Sequence, residues 1–245
     1  MRALLACEML EVWERGQTLQ PFQRALTLLS AACPQTPLDV LAQISIGQRD
    51  ACLLTLREWA FGSKLVSMAT CPHCGDRLEL SFNVADIRVS SKAELESETL
   101  SLSVADYDVC FRLPNSLDIA AITNHKDVTA SQQMLFERCL IKAHHQGEEQ
   151  LAKDLPVEIV EAIANVMAET DPQADIQIGL VCPVCSHQWQ ATFDIVSFFW
   201  SEINSWAYRI LRDVHTLASA YGWSEAEILA LTPWRRQFYL EMASR

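Results

Sequence analysis

The chain has 245 residues, 50% of them hydrophobic and 20% charged, enough for one large domain or two small ones with an ample core. Its 31 acidic residues against 19 basic ones give a net charge of −12, which argues against a function built on gripping a nucleic-acid backbone. With only 7 glycines and 9 prolines, no apolar run of membrane-spanning length and acids soon after Met1, the sequence offers no low-complexity linker, transmembrane segment or secretory signal.

The N-terminal third reads as helical. Leu4, Leu5, Met9, Val12 and Trp13 fall at helical spacing before Gly16, and Phe22, Leu26 and Leu29 mark a second helix that stops ahead of Pro34. A third helix, about Gln48 to Ala60, carries Cys52, Leu53, Leu56 and Trp59 on one stripe, with Gly62 just past its end. Such stripes are core faces in the simplest reading. Lys64 to Thr70 then reads as a strand, Cys71-Pro72-His73-Cys74 as a turn, and Leu78, Leu80 and Phe82 as the alternating face of a returning strand.

Residues 90–98, with Glu94, Glu96 and Glu98, read as a solvated acidic loop. Thr99 to Val104 and Tyr107 to Leu113 alternate around Ala105-Asp106 and predict a further β-hairpin, after which Ser116 can cap a short helix through Ile122. Ala130 to His145 reads as one helix ending at Gly147, with His144 and His145 on its tail as surface residues. Pro156 opens another helix that Asp171-Pro172 terminates. Asp175 to Val181 is again strand-like, Cys182-Pro183-Val184-Cys185 repeats the turn, and Trp189, Ala191 and Phe193 repeat the alternation. From Asp194 a long helix follows, with Val196, Phe199, Ile203, Trp206, Ile210, Val214, Leu217 and Tyr221 at spacings of three and four. Its apolar face is broad enough for a domain spine or a docking face. Ser224 to Glu227 is a capping box for a short helix, and Pro233 starts the last one.

The two Cys-x-x-Cys turns carry the chemistry. Thiolates at i and i+3 of a tight turn grip one side of a tetrahedral ion, and a second such turn completes the set, so Cys71, Cys74, Cys182 and Cys185 are the predicted ligands. A four-sulfur set points to zinc, with an iron–sulfur centre as the second reading. Four protein ligands leave no open position, which makes the site structural. More than a hundred residues separate the pairs, but loop-closure entropy grows only logarithmically. A single Cys-x-x-Cys could be a redox motif or incidental; two with matched prolines and matched downstream strands favour the shared metal. His73 and His187 could substitute as ligands, but read more simply as surface residues of the turns. The other five of the nine cysteines (Cys7, Cys33, Cys52, Cys110, Cys139) stand singly and act as small core hydrophobes, which places the protein in a reducing cytoplasm.

No phosphate-binding glycine loop, nucleophile elbow, His-Glu-x-x-His or isolated carboxylate pair is present, so the sequence predicts no enzyme and no small-molecule substrate. Residues 1–193 hold 14 Lys and Arg against 25 Asp and Glu, and neither turn has a basic cluster beside it, so nucleic acid is a minor alternative. Trp206, Tyr221, Trp223, Trp234, Arg235, Arg236 and Tyr239 are the candidate partner-binding residues, being of types over-represented at interfaces. The other reading is that they seal the C-terminal helices onto the long one.

Several segments carry a family resemblance: Ile46-Gly47-Gln48-Arg49-Asp50, Phe61-Gly62, Cys71-Pro72-His73-Cys74-Gly75, Arg112-Leu113-Pro114 with Asp118, and Asp171-Pro172-Gln173-Ala174-Asp175 ahead of Cys182. The tail adds Val214-His215-Thr216-Leu217-Ala218, Tyr221-Gly222-Trp223-Ser224-Glu225 and Ile228-Leu229-Ala230-Leu231. Together they resemble the baseplate proteins of T-even-like phages and related zinc-knuckle proteins encoded with contractile injection systems, over about residues 40–245. The resemblance implies baseplate, hub or tail proteins as partners and a structural or assembly, chaperone-like role. The competing functions are a thiol redox protein and a zinc-ribbon nucleic-acid-binding module. The expected fold is α+β: mostly helical, with two Cys-x-x-Cys hairpins forming a small zinc ribbon and one further hairpin. The expected organisation is an N-terminal helical segment (1–62), a ribbon-like region with inserted elements (63–195) and a C-terminal helical segment (196–245), packed as one unit.

Overall fold

The computed structural model describes residues 1–89, 99–125 and 127–243, so the predicted acidic loop at 90–98 lies outside the described residues. From the N-terminus the chain forms α1 (Ala6–Gly16), α2 (Pro21–Ala32), α3 (Leu38–Gln43) and α4 (Ile46–Phe61), then β1 (Lys64–Thr70), β2 (Arg77–Asn83) and the single turn α5 (Val84–Ile87). Next come β3 (Leu100–Val104), β4 (Tyr107–Phe111), α6 (Ser116–Ile122), α7 (Val128–Cys139), β5 (Leu140–His145) and β6 (Glu148–Glu149). A 3-10 turn at Ala152–Asp154, α8 (Val157–Thr170) and a second 3-10 turn at Pro172–Ala174 lead to β7 (Ile176–Val181) and β8 (Gln188–Phe193). The chain closes with α9 (Ile195–Tyr221), α10 (Glu225–Leu229) and α11 (Pro233–Ala243). The fold is α+β and mostly helical, as the sequence predicts. It divides into two compact units, Met1–Gln35 with Ile195–Arg245, and Thr36–Asp194.

In the first unit α9 is the spine. Its buried Val196, Phe199, Ile203, Ile210, Val214 and Leu217 follow the predicted stripe, and α1, α2, α10 and α11 pack on it. Gly16 ends α1 for more than its flexibility: a Cβ there would sit 2.1 Å from the Trp200 ring. The same ring carries the Arg24 guanidinium 4.6 Å from its centroid, while Arg24 Nε donates to the Gly16 carbonyl at 2.9 Å. Trp13 Nε1 donates to Asn204 Oδ1 at 2.9 Å, which gives a half-buried indole its partner.

The second unit holds three antiparallel sheets, β1-β2, β3-β4-β5-β6 and β7-β8. The predicted central hairpin is real: its tip residues Ala105 and Asp106 both have positive φ, as a two-residue turn demands. Two readings are corrected here. The helix predicted over Ala130 to His145 stops at Cys139, and Leu140 onward is β5, because β4 has a second edge to pair and aligns Val109 with the buried Ala143. Six apolar and polar residues in a row satisfy either period, so only the partner strand decides. His144 and His145 therefore belong to a strand, with His145 stacked on Tyr107 at 4.2 Å, and Gly147 serves the β5–β6 turn. The cap of α6 is Asn115 rather than Ser116; its Oδ1 accepts from the Leu117 and Asp118 amides. α8 covers this sheet through Ile159 and Ile163, packed on Val109 and Phe111.

What positions the two cysteine turns is the start of α4. Its first free amides each find a partner: Ile46 N donates to the Pro114 carbonyl (3.1 Å), Gly47 N to Asp171 Oδ2 (2.9 Å) and Gln48 N to Ser45 Oγ (3.2 Å). Asp171 is the residue just before the turn into β7, so this carboxylate ties the root of one hairpin to the helix that launches the other. At the far end of α4, buried Arg57 donates to the carbonyls of Gly62 (2.6 Å) and Lys64 (2.8 Å) and fixes the corner into β1. Gln173 adds a second tie, accepting from Val89 N at 2.8 Å. Nearby, fully buried Asp118 receives Arg112 through two bonds (2.6 and 2.8 Å) and Arg138 Nε at 2.8 Å. Burial opposes its charge, but the two guanidiniums and the Asn115 amide hold the carboxyl below its ordinary range.

Gly47 has no room for a side chain, since a Cβ would stand 1.9 Å from Asp171 Oδ1. Gly47→Ala should cost about 2–3 kcal/mol and Asp171→Ala about 1–2 kcal/mol in urea unfolding. Because the added methyl occupies the space the carboxylate vacates, the double variant should lose clearly less than the sum of the two.

Candidate metal centre

Each hairpin ends in the same local structure. In the first, Cys71 N donates to the Asp76 carbonyl (2.8 Å) and Gly75 N to the Cys71 carbonyl (2.9 Å). In the second, Cys182 N donates to the His187 carbonyl and Ser186 N to the Cys182 carbonyl, both at 2.9 Å. The fifth residue of each turn is left-handed, Gly75 at φ 76° and Ser186 at φ 57°. The strands behind the tips are paired in matching register, Thr70 with Arg77 and Val181 with Gln188.

The two tips meet. Cys71 Sγ lies 3.7 Å from Cys185 Sγ, Cys74 Sγ lies 3.6 Å from Cys182 Sγ, and all four sulfurs fall within 4.8 Å of one another. Sulfurs about 2.3 Å from a tetrahedral zinc ion are about 3.8 Å apart, whereas a disulfide requires about 2.05 Å. The spacing thus fits a shared ion, and all nine cysteines are free. Among the described residues these four form the one group of His, Cys and carboxylate side chains close enough to hold a metal. Cys71 and Cys182 are buried, Cys185 is half-buried and Cys74 exposed; Leu78, Leu80 and Trp189 pack around them. Lower down, Phe82 meets Phe193 edge-on at 5.7 Å, joining the faces that the alternation marked. His73 and His187 stack on each other at 5.4 Å beside the sulfurs and belong to no ligand group.

The thiols do not share charge evenly. Amide hydrogen bonds from Cys185 and Val184, with help from Cys74, outweigh burial and bring Cys182 down to about 7. Cys74 receives the Asp76 amide, but its contacts with Cys185, Cys182 and Cys71, together with burial, push it up to about 12. Cys185 is also raised. Four thiolates this close cannot all ionise without a cation between them, and a soft divalent cation is the group this donor set fits. A dithiol redox site pairs the two cysteines of one turn; here the nearest sulfurs are those of opposite turns, Cys71 with Cys185 and Cys74 with Cys182.

The aromatic and arginine residues of the C-terminal segment occupy two environments. Trp206 packs in the core with Leu10 and Ala207; Tyr221 stacks on Trp223 at 4.7 Å, and Tyr239 meets Trp223 edge-on at 4.9 Å. Arg236 is buried and paired with Asp213 at 3.5 Å. Burial raises the Asp213 carboxyl and lowers the Arg236 guanidinium despite that pairing. Trp234, 77% exposed, stacks on the exposed Phe238, and Arg235 is exposed beside it. The Asp171 tie leaves no local signal: that residue reads as a helix stop, and its partner Gly47 lies 124 residues away in the chain.

A Cβ at Gly75 meets nothing within 4 Å, so the cost of adding one is conformational alone. Gly75→Ala should destabilise by about 1 kcal/mol, whereas Ser186→Gly should be neutral or stabilise by up to about 1 kcal/mol, both read from urea midpoints.

A family model described as T4 bacteriophage base plate protein matches residues 4–200, from the start of the chain through both cysteine turns into α9. No curated protein and no solved structure matches the chain significantly. The match begins well before residue 40, where the resemblance began, and the tail motifs beyond residue 200 lie outside it. With some four fifths of its length matched, the chain belongs to the T4 bacteriophage base plate protein family.

Proposed function

We propose that the chain is a non-enzymatic structural or assembly subunit of the baseplate of a contractile phage tail or contractile injection system, made in the cytoplasm and held in shape by a structural zinc ion on Cys71, Cys74, Cys182 and Cys185. The observation that carries the reading is the meeting of four sulfurs from two distant hairpin tips in a chain of the baseplate family. With four protein ligands the ion keeps no open position for a substrate, so what it supplies is a cross-link. Two of the ligands, Cys71 and Cys182, are buried and all four sulfurs converge on one point, which supports a scaffold over a thiol redox protein. A charge of −12 disfavours the nucleic-acid module. No helix of the described residues is long and apolar enough to cross a membrane. On the helical unit, Tyr221, Trp234 and Arg235 are the members of the partner-binding set with surface to offer, while Trp206, Trp223, Arg236 and Tyr239 pack among α9, α10 and α11.

Elemental analysis of the purified chain should return one zinc per molecule, with iron as the result that would change the metal. Cys71→Ser and Cys182→Ser should each lose the ion and unfold at lower temperature, because binding and folding are one equilibrium at such a site. Wild-type melting of either variant would defeat the clip. Co-expression with the baseplate, hub and tail proteins of the same gene cluster should recover a complex, weakened about tenfold or more by Trp234→Ala. Recovery of none of them would count against the baseplate role.

A further inference from the structure

Each cysteine hairpin is two strands wide, so all four strands are paired on a single side, and the unpaired edges of β2 and β7 are the ones that border a cleft. The tip bonds at Cys71 and Cys182 fix the parity of both ladders: residues 78, 80 and 82 of β2 and 176, 178 and 180 of β7 exchange bonds with their partner strands. The amides and carbonyls of Glu79 and Ser81, and of Gln177 and Gly179, therefore point away from the hairpins. None of them has a backbone partner among the described residues. These two free edges flank one cleft of about 760 Å³, lined by consecutive residues 79–82 and 175–180. Its walls are apolar, from the inward side chains Leu80, Phe82, Ile176 and Ile178, all half-buried.

Two features say what fits there. Gly179 stands mid-strand without a positive φ, and a Cβ on it would make only ordinary contacts with Gln190 at 3.6 Å and 3.8 Å. Nothing in the chain's own packing requires glycine, whereas close approach of another backbone does favour it. The rim is acidic: Glu79, Asp86 and Asp175 line it, and its one arginine, Arg88, is already paired with Glu58 at 3.2 Å. A second copy would bring the same carboxylates against these.

We infer that this cleft binds an extended, basic segment of a partner protein, which adds to the free edge of β7 as a strand. Its backbone pairs with Gln177 and Gly179, its apolar side chains enter the cleft over Leu80 and Ile178, and its alternating lysines or arginines face Glu79, Asp86 and Asp175. The identification of that partner as a baseplate protein rests on the function proposed above; the binding mode does not.

The test uses the full metal-loaded chain and a peptide of about seven residues alternating lysine and valine, long enough to span β7. Amide exchange at Gln177 and Gly179 should slow saturably, by about tenfold or more, with this peptide. The same peptide methylated on alternate backbone nitrogens should have no effect, and a glutamate–valine peptide little. Glu79→Lys combined with Asp175→Lys, with melting unchanged, should abolish the effect. Unchanged exchange with the lysine–valine peptide, equal protection by the glutamate–valine peptide, or full binding to the charge-reversed variant would each overturn the inference. So would protection that grows with protein concentration in the absence of peptide, which would make a second copy the occupant. No baseplate protein takes part, so failure here bears on the cleft alone.

Discussion

Two hairpin tips more than a hundred residues apart can share an ion only if something holds their roots together, and in this chain that is the bond between the Asp171 carboxylate and the first turn of α4. Closing a loop of that length costs about 4 kcal/mol of chain entropy. A carboxylate on a helix start recovers about 1–2 kcal/mol of this, and the remaining amide partners, Pro114 and Ser45, add to it. An ion held by the four sulfurs would contribute far more, about 10 kcal/mol or above at comparable sites, once its ligands are oriented. The helix start and the buried Arg57 corner supply that orientation: one sets where β7 begins, the other where β1 begins. The polypeptide ties thus give the four sulfurs their position, and a shared ion would add the strength.

The ribbon is a repeat in structure as well as in sequence. Gly75 and Ser186 take the same left-handed corner, His73 and His187 stack across the repeat, and Phe82 meets Phe193. Each hairpin is only two strands wide, too narrow to be stable alone, so it relies on its partner's apolar face and on the meeting of the cysteine tips. That economy leaves strand edges open. Where the central sheet covers β4 on both sides with β3 and β5, neither β2 nor β7 has a second neighbour among the described residues. Proteins ordinarily protect such edges. Here they border an acidic cleft with an unforced glycine, the arrangement expected where a strand from another protein completes the sheet.

The helical unit follows a different logic. α9 buries one broad face under α1, α2, α10 and α11, with Trp200 wedged between Gly16 and Arg24 as its tightest contact. Most of the aromatic residues near the C-terminus are spent on this packing. Trp234 and Phe238 are not, and their rings lie exposed one helical turn apart on α11. A subunit with an exposed aromatic pair on one unit and an open strand edge on the other has the surfaces a multi-partner assembly uses.

By itself the sequence determined whatever depends on near neighbours. The repeated turn and its alternating strands, the spacing of three and four along α9, the capping box at Ser224 and the hairpin at Ala105-Asp106 are all written within a few residues of where they act. The count and matching of the cysteines even named the four side chains that come together. Tertiary structure decided what local pattern leaves degenerate. Leu140 to His145 suits helix or strand, and became β5 because β4 had an open edge; Arg236 and Trp234, two positions apart in one motif, became core and surface because Asp213 lies under one of them only. Asp171 and Gly47 show no mutual signal in the chain, since a carboxylate that caps a helix from 124 residues away obeys no short period. Partners set by distance in space rather than along the chain are what the fold had to supply.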